Sequence, residues 1–528
     1  MHWLALHLPL LSLEALAATL PGAERDAPLG LVAQHHITAA NAAAAACGVR
    51  PGLKRATALA LAPQLRLGQA DAARDAAALL AVAHAALAFT PMVLPDTGPD
   101  GTHTVLLEVA SVLRYHGGAA RQPGPLITRL QAALAPLGHR LQMAAAPTPG
   151  GAALLARWGA AGHADRPDLL NGPHSTDLAA LQALLDHAPV WLLGPGRAHW
   201  EALQGMGLHT LADLRALPRA GLTRRFGASL LADLDRARGE APDPREPLSA
   251  PPVFDSRLEL MARADTSAQV LYGASVLLAR LLAWAQARQS RIAAFTLRMR
   301  HETRRRREAD DGADADPTHT DLSIELAAPS ADAAQLALLL RERLAQCPLP
   351  APTLELQLSC RRLVVAAPPS GELFPTRQSQ REGLVRLLER LRARLGDAQV
   401  LRLRPLADHR PERASGLSPQ VVDPTPVVRG PAQPALPLHR PAWLLPQPQP
   451  LHERAALPLL DGRPLQIVSG PERIEGGWWD TDVAGHAVDA GLATRDYFIA
   501  RADDGALVWI YRTRLATPGG WFLQGRFG

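Results

Sequence analysis

Residues Leu192–Pro218 read LLGPGRAHWEALQGMGLHTLADLRALP, and two glycine turns divide this otherwise helical stretch. The turns are Gly194–Gly196 and Gly205–Gly207. Glycine allows a sharp backbone turn close to a ligand, and the N–H groups at the start of the following helix can face a phosphate. Arg197 adds a positive charge beside the first turn. The stretch therefore predicts helix-hairpin-helix turns that hold a phosphate backbone, with ordinary glycine caps at helix ends as the alternative.

The helical pattern runs from residue 175 to residue 238, and a different pattern follows between residues 250 and 365. There, strand-like and helix-like periodicities succeed each other in the order β-α-β-β-α-β, which is typical of a ferredoxin-like unit. The predicted strands are Phe254–Met261, Ile292–Arg300, Thr318–Leu326 and Thr353–Arg361, and the predicted helices are Ser267–Arg288 and Ala331–Gln346.

Two arginines on the second predicted strand of this unit, Arg298 and Arg300, are candidates for nucleic-acid contacts. Residues two apart on a strand share one face, so both side chains would belong to one platform. Arginines on such a platform predict salt-dependent binding without sequence preference. The run Arg304–Arg307 is followed by several acidic residues, which favours a solvated loop there.

Residues 1–170 alternate short apolar runs with Ala/Leu-rich helices, as is typical of an α/β or α+β region. The opening segment has no basic region, and Glu14 interrupts its apolar run, so a strand followed by a helix is favoured over a signal peptide. The predicted strands are Trp3–Leu8, Leu29–Val32, Val105–Val109 and Arg140–Ala145, and the predicted helices are Leu13–Leu20, Ile37–Cys47, Ala70–Ala88 and Pro125–Ala135.

The last part of the chain divides into a proline-rich tract and an aromatic tail. Prolines are densest from Pro405 to Pro450, which predicts an extended or disordered linker. Residues 451–528 concentrate the aromatic side chains, which predicts a separate small β-rich module with most of them in its core. Trp478 and Trp479 are adjacent, so on a strand they would point to opposite faces. One of them would then lie outside the core, where tryptophan often anchors an interface.

Chain length, apolar runs, cysteine spacing and net charge limit the classes of protein to which this chain can belong. At 528 residues the chain is too long for one core and predicts roughly three to five domains. No apolar run approaches the ~18 uncharged residues of a membrane span, so no membrane is expected. The three cysteines show no C-x-x-C spacing, which predicts neither a disulfide framework nor a zinc site and suits the cytoplasm. A net charge of +5 permits a polyanionic partner.

Three segments together resemble the Y-family (translesion) DNA polymerases. Ala40–Leu53, ANAAAAACGVRPGL, resembles their fingers motif. Leu106–Val109, continuing to Leu113–Gly117, resembles the palm strand and its loop, and Leu192–Pro218 resembles the thumb. The tail, with Gly470–Ile474, Gly477–Asp480, Arg495–Tyr497 and Trp521–Leu523, resembles that of the ImuB-type branch, whose members are polymerase-like partners in bacterial mutagenic repair.

The resemblance implies a multidomain α+β chain in the order palm, fingers, palm, thumb and little finger, followed by the linker and the tail. The implied boundaries are 1–20 and 79–170 for the palm, 21–78 for the fingers, 171–245 for the helical thumb, 250–366 for the ferredoxin-like little finger, 367–440 for the linker and 441–528 for the C-terminal partner-binding module.

The chemistry of such polymerases requires carboxylates that this chain lacks. Two divalent cations, ~3.5–4 Å apart, must be held by a carboxylate cluster. Counting back from Glu14, the resemblance places the first metal-binding Asp at Ala5, and the adjacent Asp-Glu pair falls on His103 and Thr104. The Tyr and Arg that would bind the triphosphate fall on Ala42 and Ala45. No catalytic activity, metal or other cofactor is therefore expected.

Two alternatives remain open at this stage. Other acids nearby could serve as rearranged metal ligands in a low-activity translesion polymerase; these are Glu14, Asp96, Asp100 and Glu108. The second alternative is a DNA-binding module without a role in replication, for which the thumb turns alone would suffice. The favoured interpretation is a noncatalytic adaptor that binds primer-template DNA without sequence preference during damage-induced, error-prone synthesis in the SOS response.

The resemblance also implies the partners of this adaptor. Leu373 and Phe374 match the end of a sliding-clamp-binding peptide, although Ser370 stands where Gln is usual. The tail, through Trp478 or Trp479, would bind an error-prone replicative-type DNA polymerase and a RecA-like accessory protein. The chain is expected in the cytoplasm, on the nucleoid when it is bound to DNA.

Overall fold

The computed structural model of the protein describes residues 2–20, 27–98, 101–117, 124–162, 177–302, 318–365, 377–419, 440–480, 493–514 and 519–527. The chain divides into two compact units, Met1–Arg394 and Leu395–Gly528.

The first unit begins with two small sheets and the helices around them. The strands are β1 (Trp3–His7), β2 (Leu29–Ala33), β3 (His36–Ala40), β4 (Arg66–Gln69), β5 (Val93–Thr97), β6 (His103–Glu108) and β7 (Gln142–Ala146). The helices are α1 (Leu11–Ala17), α2 (Ala42–Ala46), α3 (Arg55–Leu61), α4 (Ala72–Leu87), α5 (Gly124–Leu134) and α6 (Pro149–Gly162).

Strand β1 lies inside a four-stranded sheet of order β5-β6-β1-β7, and all five of its residues are buried. Successive side chains on a strand point to opposite faces. Trp3 and Ala5 therefore pack into one apolar cluster with residues of α6, whereas Leu4 and Leu6 pack into another with residues of α4 and α5. Helices on both faces explain why β1 is apolar in nearly every position, as predicted.

The second sheet has the order β3-β2-β4, and it corrects one prediction. Residues Ile37–Cys47 are not one helix: His36–Ala40 form a strand that pairs with β2, and only Ala42–Ala46 are helical. Asn41 separates the two elements, and its side chain accepts a hydrogen bond from the Ala44 N–H as the helix N-cap. Strand pairing here outweighs the high helix propensity of alanine, which is a weak preference.

Short helices follow, as predicted for residues 175–238. They are α7 (Leu178–Asp186), α8 (Gly194–Ala198), α9 (Trp200–Gly205), α10 (Leu211–Arg215), α11 (Arg219–Phe226) and α12 (Ala228–Arg238). Their leucines complete the apolar cluster that contains Ala5, so this helical region packs on the same face of the first sheet as α6.

The predicted β-α-β-β-α-β order is confirmed. The elements are β8 (Phe254–Ala264), α13 (Ser267–Ala287), β9 (Ser290–His301), β10 (His319–Ser330), α14 (Ala333–Gln346) and β11 (Thr353–Val365). The antiparallel sheet has the order β10-β9-β11-β8, and both helices pack on one face of it. Helix α13 is long and apolar enough to cross a membrane, but it is the core helix of this unit, with Leu277, Leu281 and Trp284 fully buried.

The prediction that residues 367–440 form an extended linker is wrong for residues 377–419. Helix α15 (Arg377–Leu395) and the hairpin β12 (Leu401–Pro405) and β13 (Ser415–Pro419) occupy this range. Glu389 anchors the helix, because its buried carboxylate accepts hydrogen bonds from the Ala327 N–H and from Gln335 Nε2. Leu384 and Leu387 remain more than half exposed. This helix adjoins the proline-rich tract, whose composition led to the prediction of an extended linker.

The second unit contains seven further strands: β14 (Trp443–Arg454), β15 (Leu457–Leu460), β16 (Arg463–Pro464), β17 (Gln466–Gly476), β18 (Ala493–Arg501), β19 (Leu507–Thr513) and β20 (Trp521–Arg526). They form an antiparallel sheet of order β16-β15-β14-β20-β19-β18-β17. Most of the tail aromatics fill two apolar clusters on this sheet, as predicted. Tyr497 stacks on Trp509 with ring centroids 4.2 Å apart, and Tyr511 stacks on Phe522.

Candidate functional site

Ala5 lies at the middle of β1, opposite Leu106 on β6 and Ala144 on β7. It is 0% exposed and belongs to an apolar cluster with both neighbours. A carboxylate in this place would lose its hydration without gaining a partner, which is strongly unfavourable. The position therefore offers neither a metal ligand nor water to a metal ion.

His7, two residues further along β1, has taken a structural role. Its Nδ1 lies 3.1 Å from the His103 carbonyl oxygen and 3.2 Å from Thr104 Oγ1. A carbonyl oxygen only accepts, so the first of these bonds requires the proton on Nδ1. The structure thus brings His7 and Thr104 together. His103 and Thr104 are adjacent on β6, so their side chains point to opposite faces of the sheet.

His7 and His103 line a cavity of about 830 Å³, which Arg157 and Arg197 also line. Two carboxylates that no sequence motif singled out, Asp71 and Asp75, complete its polar wall. Asp71 is the N-cap of α4 and accepts from the backbone N–H groups of residues 73 and 74. The capping position before an apolar helix is the sequence signal that could have found it.

The residues of this cavity do not fit a two-metal centre. Asp75 accepts a hydrogen bond from Ser12 Oγ, and Asp71 is committed to its helix. Magnesium demands near-octahedral oxygen coordination. Across the described residues, no three His, Cys, Asp or Glu side chains are grouped so that they could hold a metal ion.

The described acidic residues that were candidates for substitute metal ligands form hydrogen bonds or ion pairs away from this cavity. Glu108 accepts from the Ala110 N–H at 3.0 Å, at the opposite end of β6 from His103. Glu14 accepts from the Arg140 N–H at 3.0 Å, and Asp96 lies 3.4 Å from an Arg245 nitrogen. None of the three lines the cavity around His7. Asp100 lies outside the described residues.

Packing or backbone conformation explains the presence of glycine at two positions of these turns, Gly196 and Gly207. A Cβ on Gly196 would lie 2.2 Å from the Val190 carbonyl oxygen, so only glycine fits at the start of α8. Gly207 has φ +77° and ends α9 as a left-handed cap. Gly194 begins α8, and Gly205 has open space around it. Arg197 lies over the Trp191 ring at 5.9 Å and faces the cavity.

Arg298 and Arg300 share the exposed face of the β8–β11 sheet, as predicted, but both are paired with acids. Arg298 binds Asp321 with two hydrogen bonds, of 2.7 and 2.8 Å, and Arg300 Nη1 lies 3.1 Å from Glu355. These acids stand directly opposite the arginines on β10 and β11. The hydrogen bonds with Arg298 lower the pKa of Asp321. A phosphate would have to compete with these carboxylates.

Trp478 and Trp479 do not lie on a strand, which corrects the prediction that they point to opposite faces of one. Strand β17 ends at Gly476, and the two indoles follow it in a turn. Both are partly or largely exposed, 74% for Trp478 and 42% for Trp479, with ring centroids 5.1 Å apart in an edge-on contact. Both tryptophans are therefore available to a partner.

A buried arginine that sequence reasoning missed supports this turn. Arg410 is 3% exposed in its side chain and forms ion pairs with Asp408 and Asp480. Its guanidinium also lies 5.7 Å from the centre of the Trp479 ring. Asp480 is 70 positions away in the chain, so no local pattern could have signalled the contact.

Leu373 and Phe374, the predicted clamp-binding pair, lie outside the described residues, as does the run Arg304–Arg307.

Comparison with known proteins identifies relatives. Protein ImuB of Caulobacter vibrioides (strain NA1000 / CB15N) is 31% identical over 504 residues, covering 91% of this chain and 100% of that protein. A Y-family DNA polymerase chimera of Dbh is 15% identical with a TM-score of 0.37, covering 69% of this chain and 100% of its own. DinB from Sulfolobus solfataricus is 15% identical with a TM-score of 0.36, covering 68% and 98%. No family model matches the chain. At its identity and coverage with Protein ImuB, the chain belongs to the ImuB family.

Proposed function

We propose that this chain is a noncatalytic, DNA-binding adaptor in damage-induced, error-prone translesion synthesis. The observation that carries the proposal is the burial of Ala5. The position at which the resemblance expects a metal-binding aspartate is filled by a methyl group inside an apolar layer. Apolar packing at this position supports the proposal of a polymerase-like fold without metal-dependent catalysis.

The DNA-binding part of the proposal rests on the helical region and the β8–β11 sheet. The turns at Gly194–Gly196 and Gly205–Gly207 would approach the phosphates of primer-template DNA, and Arg197 would add charge. Arg298 and Arg300 would contact phosphates in exchange for their acidic partners. Contacts of this kind position a duplex without reading its sequence.

The partner-binding part rests on the second unit. Trp478 is 74% exposed, and its neighbour Trp479 is held by Arg410. A large exposed indole on a fixed support is typical of an interface anchor. This turn would recruit an error-prone replicative-type polymerase and a RecA-like accessory protein, and Leu373 and Phe374 would bind the sliding clamp. The adaptor would act in the cytoplasm, on damaged DNA.

Primer extension by the purified protein tests the absence of catalysis. We expect no template-directed incorporation with either Mg²⁺ or Mn²⁺, with an active translesion polymerase as the positive control. Extension that disappears in the Asp75→Asn variant would overturn the proposal. It would favour a low-activity polymerase whose ligands come from the cavity around His7.

Binding assays with the sliding clamp, the error-prone polymerase and the RecA-like protein test the partners separately. Trp478→Ala should reduce polymerase capture without changing the thermal stability of the protein, because this indole packs little of its surface. The double variant Leu373→Ala, Phe374→Ala should affect the clamp alone. Wild-type capture of all three partners by both variants would contradict the assignments.

A further inference from the structure

A second cavity, of about 860 Å³, lies between helix α4 and strand β8 inside the first unit. Helix α4 contributes Arg74, Ala77, Ala81 and His84 to its wall. The spacing of three and four residues places these four side chains on one face of the helix. The two alanines leave space between the arginine and the histidine. Arg280 of α13 lines the same cavity.

Arg280 is a buried cation without a counter-ion. It is 4% exposed, and its Nη1 donates only to the neutral Ser256 hydroxyl at 3.3 Å and the Arg257 carbonyl at 3.5 Å. Among the described residues, none places a carboxylate within ion-pair distance of it. Burial lowers the pKa of Arg280 to about 10. A buried charge normally has a charged partner, because its lost hydration is otherwise uncompensated.

His84 adds a second unsatisfied group to this wall. It is 4% exposed, and its Nε2 has no hydrogen-bond partner within the part of the chain that the structure describes. Burial lowers the pKa of His84 to about 4. Arg74, by contrast, has partners: its Nη2 donates to the Gln69 carbonyl oxygen at 3.0 Å, and its Nε lies 3.8 Å from an Asp75 carboxylate oxygen. Buried polar groups are nearly always satisfied, and Arg280, which lines the cavity with its charge unpaired among the described residues, is the group that points to a missing ligand.

The acids on the cavity wall do not neutralise Arg280. Asp71 caps α4, Asp255 accepts from Gln357 Nε2 at 2.7 Å, and Glu355 pairs with Arg300. Glu259 is exposed. The rest of the wall is largely apolar and includes Leu16, Phe254 and Leu258.

We propose that this cavity binds the phosphate or carboxylate group of a small organic anion, held by Arg280, with its apolar body against the leucines. A guanidinium is suited to bidentate recognition of either group. Apolar cavities of this size with a few convergent polar groups are typical small-molecule sites. The site goes beyond the adaptor role and does not depend on it.

Thermal unfolding of the full-length protein at constant ionic strength tests the proposal. The probes are inorganic phosphate, deoxyadenosine monophosphate and octanoate, each compared with chloride. At least one probe should raise Tm saturably by about 2–4 °C. Arg280→Met should abolish that shift, whereas the exposed control Arg341→Met, which removes an equal charge outside the cavity, should keep it. The probe that acts tells whether phosphate or carboxylate is recognised.

Arg280→Met removes an uncompensated buried charge and preserves side-chain length, so it should fold with an unchanged circular dichroism spectrum. Arg280→Lys provides a second measurement, because it keeps the charge and loses the bidentate geometry; its shift should be smaller than that of the wild type. No shift of the wild-type protein with any probe, or a full shift in both Arg280 variants, would overturn the proposed site.

Discussion

The Thr104 hydroxyl lies 3.2 Å from Nδ1 of His7, directly across the antiparallel pair β1 and β6. Both side chains are buried. The bond joins the two strands at the place where the family resemblance expects metal-binding carboxylates. His7 and Thr104 are thus joined by a buried hydrogen bond, and Ala5, two residues before His7, is enclosed in an apolar cluster.

Placing an aspartate at position 5 should destabilise the fold. Ala5→Asp would place a carboxylate at a position that is 0% exposed, with a cost of at least about 3 kcal/mol in the free energy of unfolding. Ala5→Ser is the matched control and should lose about 1 kcal/mol. Urea denaturation measures both values. An aspartate variant as stable as the wild type would show that the position has access to water.

The acidic partners of the sheet arginines should restrain DNA binding. Asp321→Asn releases Arg298 from its ion pair and should tighten binding of any duplex by about threefold, the scale of one exposed ion pair. Arg298→Ala should weaken binding and reduce the salt dependence. Fluorescence anisotropy at several salt concentrations measures both. If Asp321→Asn had no effect on affinity, DNA would not contact this face.

The two glycine turns should respond differently to alanine. Gly196→Ala places its Cβ against the Val190 carbonyl oxygen and should destabilise the protein by about 2 kcal/mol. Gly205 is helical with open space around it, so Gly205→Ala should be neutral or stabilise by up to about 1 kcal/mol. Thermal unfolding measures the stabilities. Weaker DNA binding by the well-folded Gly205→Ala variant would identify a phosphate contact at this turn.

The fragment that carries the tail should begin near Leu395 and not near Arg440. Within residues 408–413, Arg410 and Arg413 form ion pairs with Asp480, and Glu412 forms an ion pair with Arg495. A fragment of residues 395–528 should therefore unfold cooperatively, whereas residues 441–528 should be less stable because Asp480 loses both arginines. Circular dichroism during heating compares the two. Equal Tm values would show that the contacts of residues 408–413 add no stability.

The Arg410 cluster should make the second unit acid-sensitive. Hydrogen bonding to Arg410 lowers the pKa of Asp408 to about 2, below its value of about 3.9 in an unfolded chain. A lowered carboxyl pKa stabilises the folded state above pH 4, and this stabilisation disappears as the pH falls from 4 toward 2.

Arg410→Met is the corresponding variant. It should lower Tm of the 395–528 fragment by at least about 5 °C at pH 7, and it should flatten the loss of stability between pH 4 and pH 2. The exposed control Arg463→Met, which pairs only with Asp503 among the described residues, should change neither. If the Arg410→Met variant lost stability between pH 4 and pH 2 as steeply as the wild type does, Arg410 would not be the cause of the acid sensitivity.

The local elements of this protein could be predicted from its sequence. The order β-α-β-β-α-β over residues 254–365 follows from side-chain periodicity, which is a property of neighbouring residues. The lack of carboxylates at Ala5, His103 and Thr104 follows from the sequence and the resemblance together. The helix α15 was missed because proline-rich surroundings obscured its start.

Side-chain identities and most of the short helices and strands could be predicted from the amino-acid sequence. The burial of Ala5, the pairing of Arg298 with Asp321 and the bridging of Asp408 and Asp480 by Arg410 depend on the folded arrangement of the chain. Strand register and the packing of distant segments set these contacts, and neither is contained in local periodicity. Burial and charge pairing depend on neighbours that can lie tens of residues away in the chain, so the full set of partners of each arginine was visible only in the folded structure.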